Sequence, residues 1–272
     1  MQKTLLIQLI TIFLITQILG IFVSLNLIQT ELKVELVNEN ANDVSNSLFL
    51  FAQILIMTGV MLLGIKLFKK GFFLRILEGL AILFSSYLVF WTIIPDLAFM
   101  FSVLLLGLKN FMQDNFFVKN IVSILAVTGV GSLLGVSLGI IPVIVFLVLL
   151  AVYDLIAVFV TKHMLVLAKP VIEKNLAFTV TMPTKEHAYQ LGTGDLVIPL
   201  VFASSLLNEG KSAGLLFPNF LIFPVIILLA SLIGLIVTLE IAEKYQKPLP
   251  ALPLQVVLMI VVWFSYKILV PI

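Results

Sequence analysis

Two aspartates lie in stretches of the chain that are otherwise almost entirely apolar: Asp154 in LLAVYDLIAVFV and Asp195 in LGTGDLVIPL. A carboxylate at the centre of a membrane-spanning helix costs about 2.5–3.5 kcal/mol on insertion scales, and such residues commonly have a function. Two carboxyl groups brought close together at low dielectric do not both ionise but share one proton. One of them then activates water as a base, while the other protonates a peptide carbonyl. Such a pair has the chemistry of an aspartic protease.

The composition is that of a membrane protein. Of the 272 residues, 61% are hydrophobic and 11% are charged, whereas soluble domains are about half apolar and about a quarter charged. The chain has no cysteine, which excludes disulfides, thiol nucleophiles and cysteine-ligated metals. Its two histidines, His163 and His187, form no H-E-x-x-H pair, so a zinc metalloprotease of that type is excluded. The net charge of +2 gives no indication of a nucleic-acid partner, and the aspartate chemistry needs no metal or other cofactor.

The apolar stretches predict an all-α polytopic membrane protein. An apolar helix needs about 20 residues to cross the hydrocarbon, and on that measure we predict nine transmembrane helices. They lie at residues 4–28, 48–68, 72–93, 96–112, 119–138, 140–162, 189–208, 215–239 and 249–270. We expect a single membrane domain over residues 1–272. It divides into a six-helix part (1–162), a cytoplasmic loop (163–188) and a three-helix part (189–272).

The positive charges predict how the chain is oriented. With nine spans, thirteen of the 16 Lys and Arg residues fall on one side of the membrane. Because Lys and Arg are enriched in cytoplasmic loops, that side is predicted to be cytoplasmic. The N-terminus is then cytoplasmic and the C-terminus external, in a multi-pass protein of the cell membrane if the source is prokaryotic.

The two aspartates are predicted to lie at the same depth. Asp154 is eight residues before Lys162, and Asp195 is eight residues after His187. At 1.5 Å per helical residue, each acid lies about 12 Å inside its last polar neighbour. A proton-coupled transporter or an ion channel that uses the pair as a relay remains an open alternative. Glu78, three residues after Arg75, is interpreted as half of an ion pair on a helix surface.

Small and cyclic residues surround these acids. Gly192 and Gly194 are expected to give a neighbouring backbone or a substrate room beside Asp195 and to loosen the start of the helix, and helix packing is a compatible alternative role. In QKPLPALPLQ, Pro248, Pro250 and Pro253 remove backbone donors, so the ninth helix is not expected to begin regularly. Irregular backbone at membrane depth is tolerated where it lines a water-filled cavity or is buried by protein. We therefore assign this stretch to the mouth of the site.

Glycines on the fifth span are expected to pack against another helix. Gly131, Gly135 and Gly139 recur every four residues, the pattern that lets two helices approach closely.

The loop between the sixth and seventh spans contains LAFTVTMP, residues 176–183, whose alternation is that of a short strand. Such a strand would pair with an unwound substrate. A disordered or membrane-skimming loop is the interpretation we favour. His163 and His187, at the edges of this loop, are interpreted as interfacial residues.

Three motifs in this order resemble the presenilin and signal peptide peptidase family, the intramembrane aspartyl proteases of the GxGD type. They are YD (Tyr153, Asp154), GTGD (Gly192–Asp195) and PALP (Pro250–Pro253). The resemblance implies that Asp154 and Asp195 are the catalytic pair. It further implies that the remaining motif residues support the site or form its mouth: Tyr153, Gly192, Thr193 and Gly194 for support, and Pro250, Ala251, Leu252 and Pro253 for the mouth. The implied reaction is hydrolysis of peptide bonds in the transmembrane segments of single-span proteins within the lipid bilayer.

Two departures from the family pattern bear on function. Thr193 stands where presenilins usually carry Leu, so a different cleavage preference is expected. The loop of about 26 residues between the catalytic spans is much shorter than in presenilin. We therefore expect the chain to work uncut and without an obligatory accessory subunit, as a microbial, archaeal homologue. A prepilin-type peptidase also uses G-x-G-D, but it carries Lys two residues after the Asp, where this chain has Val197, and it lacks PALP.

Overall fold

The computed structural model describes residues 3–67, 72–184, 188–245 and 249–269, and this part of the chain is mainly helical. Its α-helices are α1 (Lys3–Gln29), α2 (Val44–Leu67), α3 (Phe72–Ile93), α4 (Ala98–Phe111), α5 (Phe116–Ser137), α6 (Ile140–Leu155), α7 (His163–Glu173), α8 (Gly194–Ser212), α9 (Asn219–Tyr245) and α10 (Leu252–Leu269). A π-helical segment, Ile156–Val160, continues α6. Two strands, β1 (Thr179–Pro183) and β2 (Ala188–Gly192), stand between α7 and α8.

Six helices in the described ranges are long and apolar enough to cross a bilayer: α1, α2, α3, α5, α6 with its π-helical extension, and α9. Their outward faces carry large apolar side chains, and Ile18 on α1 and Phe84 on α3 are each 68% exposed. Such faces are unfavourable in water and match the hydrocarbon of a membrane. The chain is therefore an integral, multi-pass membrane protein.

Each of the nine predicted spans contains a helix in the part of the chain that the structure describes. Helices α4, α8 and α10 overlap the fourth, seventh and ninth predicted spans but are not among the six, and α4 has only 14 residues. The count of nine spans and the orientation of the termini stay predictions. His187 and Pro248, which entered the depth and proline arguments, lie outside the described residues.

The prediction for residues 163–192 was wrong in two respects. The loop between the sixth and seventh spans is not disordered, because it contains α7 and then β1, a strand within the residues 176–183 whose alternation indicated one. The seventh span was predicted to be helical from residue 189, but residues up to Gly192 form β2, which pairs antiparallel with β1. Thr181 lies opposite Gln190, and Thr179 lies opposite Gly192. The fold is therefore helical with one small β-hairpin, rather than strictly all-α.

Helix α5 is the most buried of the six apolar helices, with half of its most apolar stretch inside the protein. It packs against α1, α3 and α8. A Cβ on Gly131 or Gly135 would collide with α8, so the predicted close helix approach is confirmed at these two positions. Gly139 lies beyond the end of α5 and packs instead against Ala41 and Asn42 of the loop before α2.

Hydroxyl groups join the same helices, as expected where neighbouring helices pack in a membrane. Ser132 of α5 donates to the carbonyl oxygen of Gly20 on α1 at 2.8 Å. The hydroxyls of Ser24 on α1 and Ser204 on α8 lie 2.7 Å apart. Helices α1, α5 and α8 therefore form one tightly packed unit, and α8 carries Asp195.

Candidate active site

Asp154 lies in the last turn of α6 and is only 8% exposed. The helix changes from α to π immediately after it, and π-helical turns are rare and frequently occur at functional sites. The hydroxyl of the neighbouring Tyr153 lies 2.8 Å from Nε2 of His163 and 3.4 Å from the hydroxyl of Thr58. His163 is the first residue of α7 and a partner of Tyr153, and its location at the membrane interface stays a prediction.

Asp195 is the second residue of α8, which begins directly after the hairpin. Both the backbone N–H and the hydroxyl of Thr193 donate to the carbonyl oxygen of Phe178, at 3.2 and 3.1 Å. On the other side, Nε2 of Gln17 donates to the carbonyl oxygen of Leu196 at 3.0 Å. The backbone that carries Asp195 is therefore held both before and after this residue.

The two glycines of GTGD do not serve helix packing. A Cβ on Gly194 would meet nothing within 4 Å, and one on Gly192 would meet only Oδ2 of Asp195, at 3.6 Å. Both positions instead border open space beside the carboxylate. This matches the prediction that the glycines leave room next to Asp195.

The structure brings the two predicted acids together. Helices α6 and α8 pack through an apolar cluster that includes Phe146, Leu150 and Phe202. The carboxylates of Asp154 and Asp195 are close enough to interact electrostatically.

The PALP stretch reaches Asp154 through its backbone. Helix α10 begins at Leu252, and the N–H of this residue is directed at the Asp154 carboxylate. Ala251 is buried in the apolar cluster that also holds Leu196. One turn into the helix, Gln255 is fully buried and accepts a hydrogen bond from Ser231 of α9 at 2.8 Å. Helix α10 begins within the PALP motif, and an N–H of its first turn is therefore directed at a carboxylate, as commonly occurs at helix starts.

Sequence reasoning missed three buried charges next to the hairpin. Glu78, which was interpreted as a surface residue paired with Arg75, is buried and forms an ion pair with Lys109 at 3.2 Å. Its Oε1 also accepts from the backbone N–H of Ala177 at 2.6 Å. Lys119, which was counted only as a cytoplasmic charge, is fully buried. The available signal was the placement of these residues inside otherwise apolar helices, where an ionisable group is costly.

A cavity of about 200 Å³ adjoins the GTGD turn. It lies between α3, α5 and the start of α8, and its wall includes Ala81, Ala126, Phe178, Thr193 and Val197. The cavity is lined mainly by apolar groups, so it is suited to an apolar side chain.

Known proteins resemble this chain over nearly its full length. The sequence model of the family described as signal-peptide peptidase, presenilin aspartyl protease matches residues 10–266. A solved structure of a presenilin family intramembrane aspartate protease in space group C222 aligns with a TM-score of 0.71 and 22% identity, covering 97% of this chain and 99% of that one. A structure described in the same words, in space group P2, aligns with a TM-score of 0.66 and 24% identity, covering 97% of each chain. Among curated proteins none matches significantly. With nearly the whole chain matched, this protein belongs to the signal-peptide peptidase and presenilin family of aspartyl proteases.

Proposed function

We propose that Asp154 and Asp195 are the catalytic pair of this intramembrane aspartyl endopeptidase. The observation that carries the proposal is that two carboxylates on adjacent helices lie close enough to interact electrostatically, with the N–H of Leu252 directed at one of them. The three motifs singled out in the sequence converge on this point although they are far apart along the chain. The transporter alternative gives the PALP contact no role.

In the proposed reaction one carboxyl is protonated and the other is ionised. The ionised group removes a proton from water, and the water oxygen attacks the carbonyl carbon of the scissile bond. The protonated group gives its proton to the carbonyl oxygen, which forms a neutral tetrahedral diol. Transfer of a proton to the amide nitrogen then breaks the C–N bond and releases a carboxylic acid and an amine. Leu252 fixes the orientation of the Asp154 carboxylate through these steps.

The proposed substrates are the transmembrane segments of single-span proteins within the bilayer. A transmembrane helix hides its peptide bonds, so it must unwind before it can be cut. The outer edge of β1 is occupied, because Asn120 of α5 donates to the carbonyl oxygen of Thr181 and accepts from its N–H, both at 2.8 Å. The sheet has only two strands in the described ranges, so the outer edge of β2 is the proposed place for an unwound substrate strand.

Thr193 is proposed to influence which bond is cut. It lines the 200 Å³ cavity beside the GTGD turn, two residues before Asp195. A substrate side chain that enters the cavity would contact Thr193 while the chain lies along β2.

Substrate pairing with β2 takes the place of the pairing with residues 176–183 that the sequence pattern suggested, because Asn120 occupies the outer edge of β1.

We also propose the finer topology: nine spans, a cytoplasmic N-terminus and an external C-terminus, with location in the cell membrane if the source is prokaryotic. The chain is proposed to need no obligatory accessory subunit. Six helices supply clear spans, and α4, α8 and α10 complete the number in this proposal.

The test is proteolysis of a single-span reporter by the purified full chain in detergent. Asp154→Asn and Asp195→Asn are each expected to abolish cleavage, and Asp96→Asn, which changes an exposed aspartate in a turn, serves as the matched control. Cleavage that survives in either of the first two variants would remove that residue from the catalytic pair. Absence of cleavage in the wild type across several reporters would favour a proton-coupled transporter or ion channel.

Substrate pairing with β2 has a separate test, because the chain contains no cysteine. A cysteine at the exposed Ala188 position can be oxidised against single cysteines placed along the reporter in an Asp195→Asn background. Cross-linking at alternate reporter positions supports strand pairing, since side chains of a strand alternate between its faces. Equal cross-linking at every position contradicts it.

A further inference from the structure

We propose that Lys119 is a positioning residue for the active site. Its buried ammonium holds the β1–β2 hairpin and, through the hairpin, the turn that carries Asp195. This inference rests on the proposed function of Asp195, but the anchoring itself is measurable without activity.

The ammonium of Lys119 has a full set of partners. Lys119 lies near the start of α5, is fully buried, and donates to three oxygens. These are the hydroxyl of Thr181 at 2.9 Å, the hydroxyl of Thr179 at 3.0 Å and Oε1 of Gln190 at 3.2 Å. Since an ammonium has three protons, all of its donors are used.

The three acceptors lie on one face of the hairpin, and the two threonine hydroxyls also hydrogen-bond to Gln190. Thr179 and Thr181 are two residues apart on β1, so their side chains point the same way, and Gln190 is the cross-strand partner of Thr181. Both hydroxyls donate to Oε1 of Gln190, at 2.8 and 2.9 Å, while accepting from Lys119. The ammonium therefore holds both strands at once.

The anchored hairpin leads into α8 without a flexible connection. Three residues after Gln190, Thr193 donates two hydrogen bonds to the carbonyl oxygen of Phe178, and α8 begins at the next residue, Gly194. A shift of β2 relative to α5 is therefore passed to the backbone of Asp195. The other described hydrogen bonds from α5 to this region, made by Asn120 and Ser123, reach only β1 and the residues before it. Lys119 is the α5 residue that reaches β2 in the described hydrogen bonds.

The chemistry of the site argues against a role in stability alone. The described hydrogen-bond partners of Lys119 are neutral oxygens, and the charges close enough to act on it are of both signs, Lys109 and Glu78. Burying an ammonium that is hydrogen-bonded only to neutral groups costs free energy, so its presence here is poorly explained by stability alone. We assign the ammonium a role in orienting the hairpin, because its three N–H donors fix the positions of three oxygens on the two strands.

Lys119→Met is the direct test. Methionine keeps an unbranched chain of similar length, and both threonine hydroxyls can still donate to Gln190, so no buried donor is left without a partner. The stability control is Leu27→Ala, a buried position in the part of α1 far from Gln8, which contacts the end of β1 at Pro183. Both purified variants are compared with wild type by thermal midpoint, by kcat and KM on the reporter, and by hydrogen exchange of the segment 188–196.

If Lys119 positions the hairpin, Lys119→Met lowers kcat by about 10- to 100-fold with little change in KM, since small misplacement of a catalytic group has effects of this size. Its hydrogen exchange at 188–196 becomes faster, while Leu27→Ala lowers the thermal midpoint without either effect. The inference is overturned if kcat in Lys119→Met falls no further than in Leu27→Ala, or if exchange of 188–196 is unchanged. If wild type and Asp195→Asn behave alike in proteolysis, the proposed function fails instead. The exchange result then still decides whether Lys119 anchors the hairpin.

Discussion

Gly135 is the position where a single methyl group should most clearly separate helix packing from catalysis. It lies on α5 and faces Val201 and Ser204 of α8, which follow Asp195 by six and nine residues. A Cβ at Gly135 would lie 2.5 Å from the carbonyl oxygen of Val201 and would also collide with Cβ of Ser204. Because the carbonyl belongs to the backbone, it cannot rotate away as a side chain can.

The magnitude follows from that distance. Ordinary contact begins at 3.4 Å, so Gly135→Ala requires α5 and α8 to move apart by the difference between 3.4 and 2.5 Å, about 0.9 Å. Overpacking of this kind typically costs about 1–3 kcal/mol. A displacement near 1 Å of a catalytic group can reduce the rate by about 100-fold. We therefore expect a larger loss of kcat than the loss of stability alone would produce.

Thermal unfolding and reporter proteolysis of purified variants measure the two effects. Gly131→Ala is the matched control, because its new Cβ would meet side-chain atoms of Leu200, at 2.8 Å for the nearest, rather than a backbone carbonyl. Gly107→Ala, which would meet nothing within 4 Å, should leave both properties near wild type. Equal losses in Gly135→Ala and Gly131→Ala would refute the argument that the α8 backbone is the obstacle.

Three further outcomes are expected. Reporter cleavage should show a bell-shaped pH profile that falls in acid, when both Asp154 and Asp195 are protonated, and in base, when both are ionised; a single-sided profile would contradict a shared proton. Leu252→Pro should lower kcat, because it removes the N–H directed at Asp154 while the first position of a helix tolerates proline. Leu252→Ala keeps this N–H and should retain most activity. Equal activities of the two variants would mean that the N–H has no role in catalysis. Glu78→Leu should lower the free energy of unfolding by about 3–5 kcal/mol, because it leaves Lys109 buried without its ion-pair partner. Adding Lys109→Met should recover part of this loss in denaturation measurements. If nothing is recovered, the unpaired Lys109 is not the cause of the destabilisation.

The chain's membrane character followed from local pattern because it depends on runs of apolar residues. The same holds for the choice of Asp154 and Asp195, since a carboxylate in an apolar run is visible without coordinates. The close approach of α5 to another helix was likewise predictable from Gly131 and Gly135, but the identity of α8 as the partner was not.

Predictions failed where a local pattern allowed two conformations. Residues 188–192 are apolar enough to extend the seventh helix, yet they form β2 because β1 supplies a partner strand. Glu78 and Arg75 have a spacing that suits a surface ion pair, yet Glu78 turns inward to Lys109 and the N–H of Ala177. In each case the deciding contact comes from a residue distant in sequence.

The sequence by itself determined that this is a multi-pass membrane protein with two intramembrane acids in the motifs of an aspartyl protease family. Only the tertiary structure decided what surrounds those acids: the Leu252 N–H on Asp154, the open space beside Gly192 and Gly194, and the Lys119 ammonium beneath the hairpin. The physical reason is that hydrophobicity and motif spacing are properties of neighbouring residues, whereas hydrogen bonds to a buried charge require groups from several helices to arrive at one place.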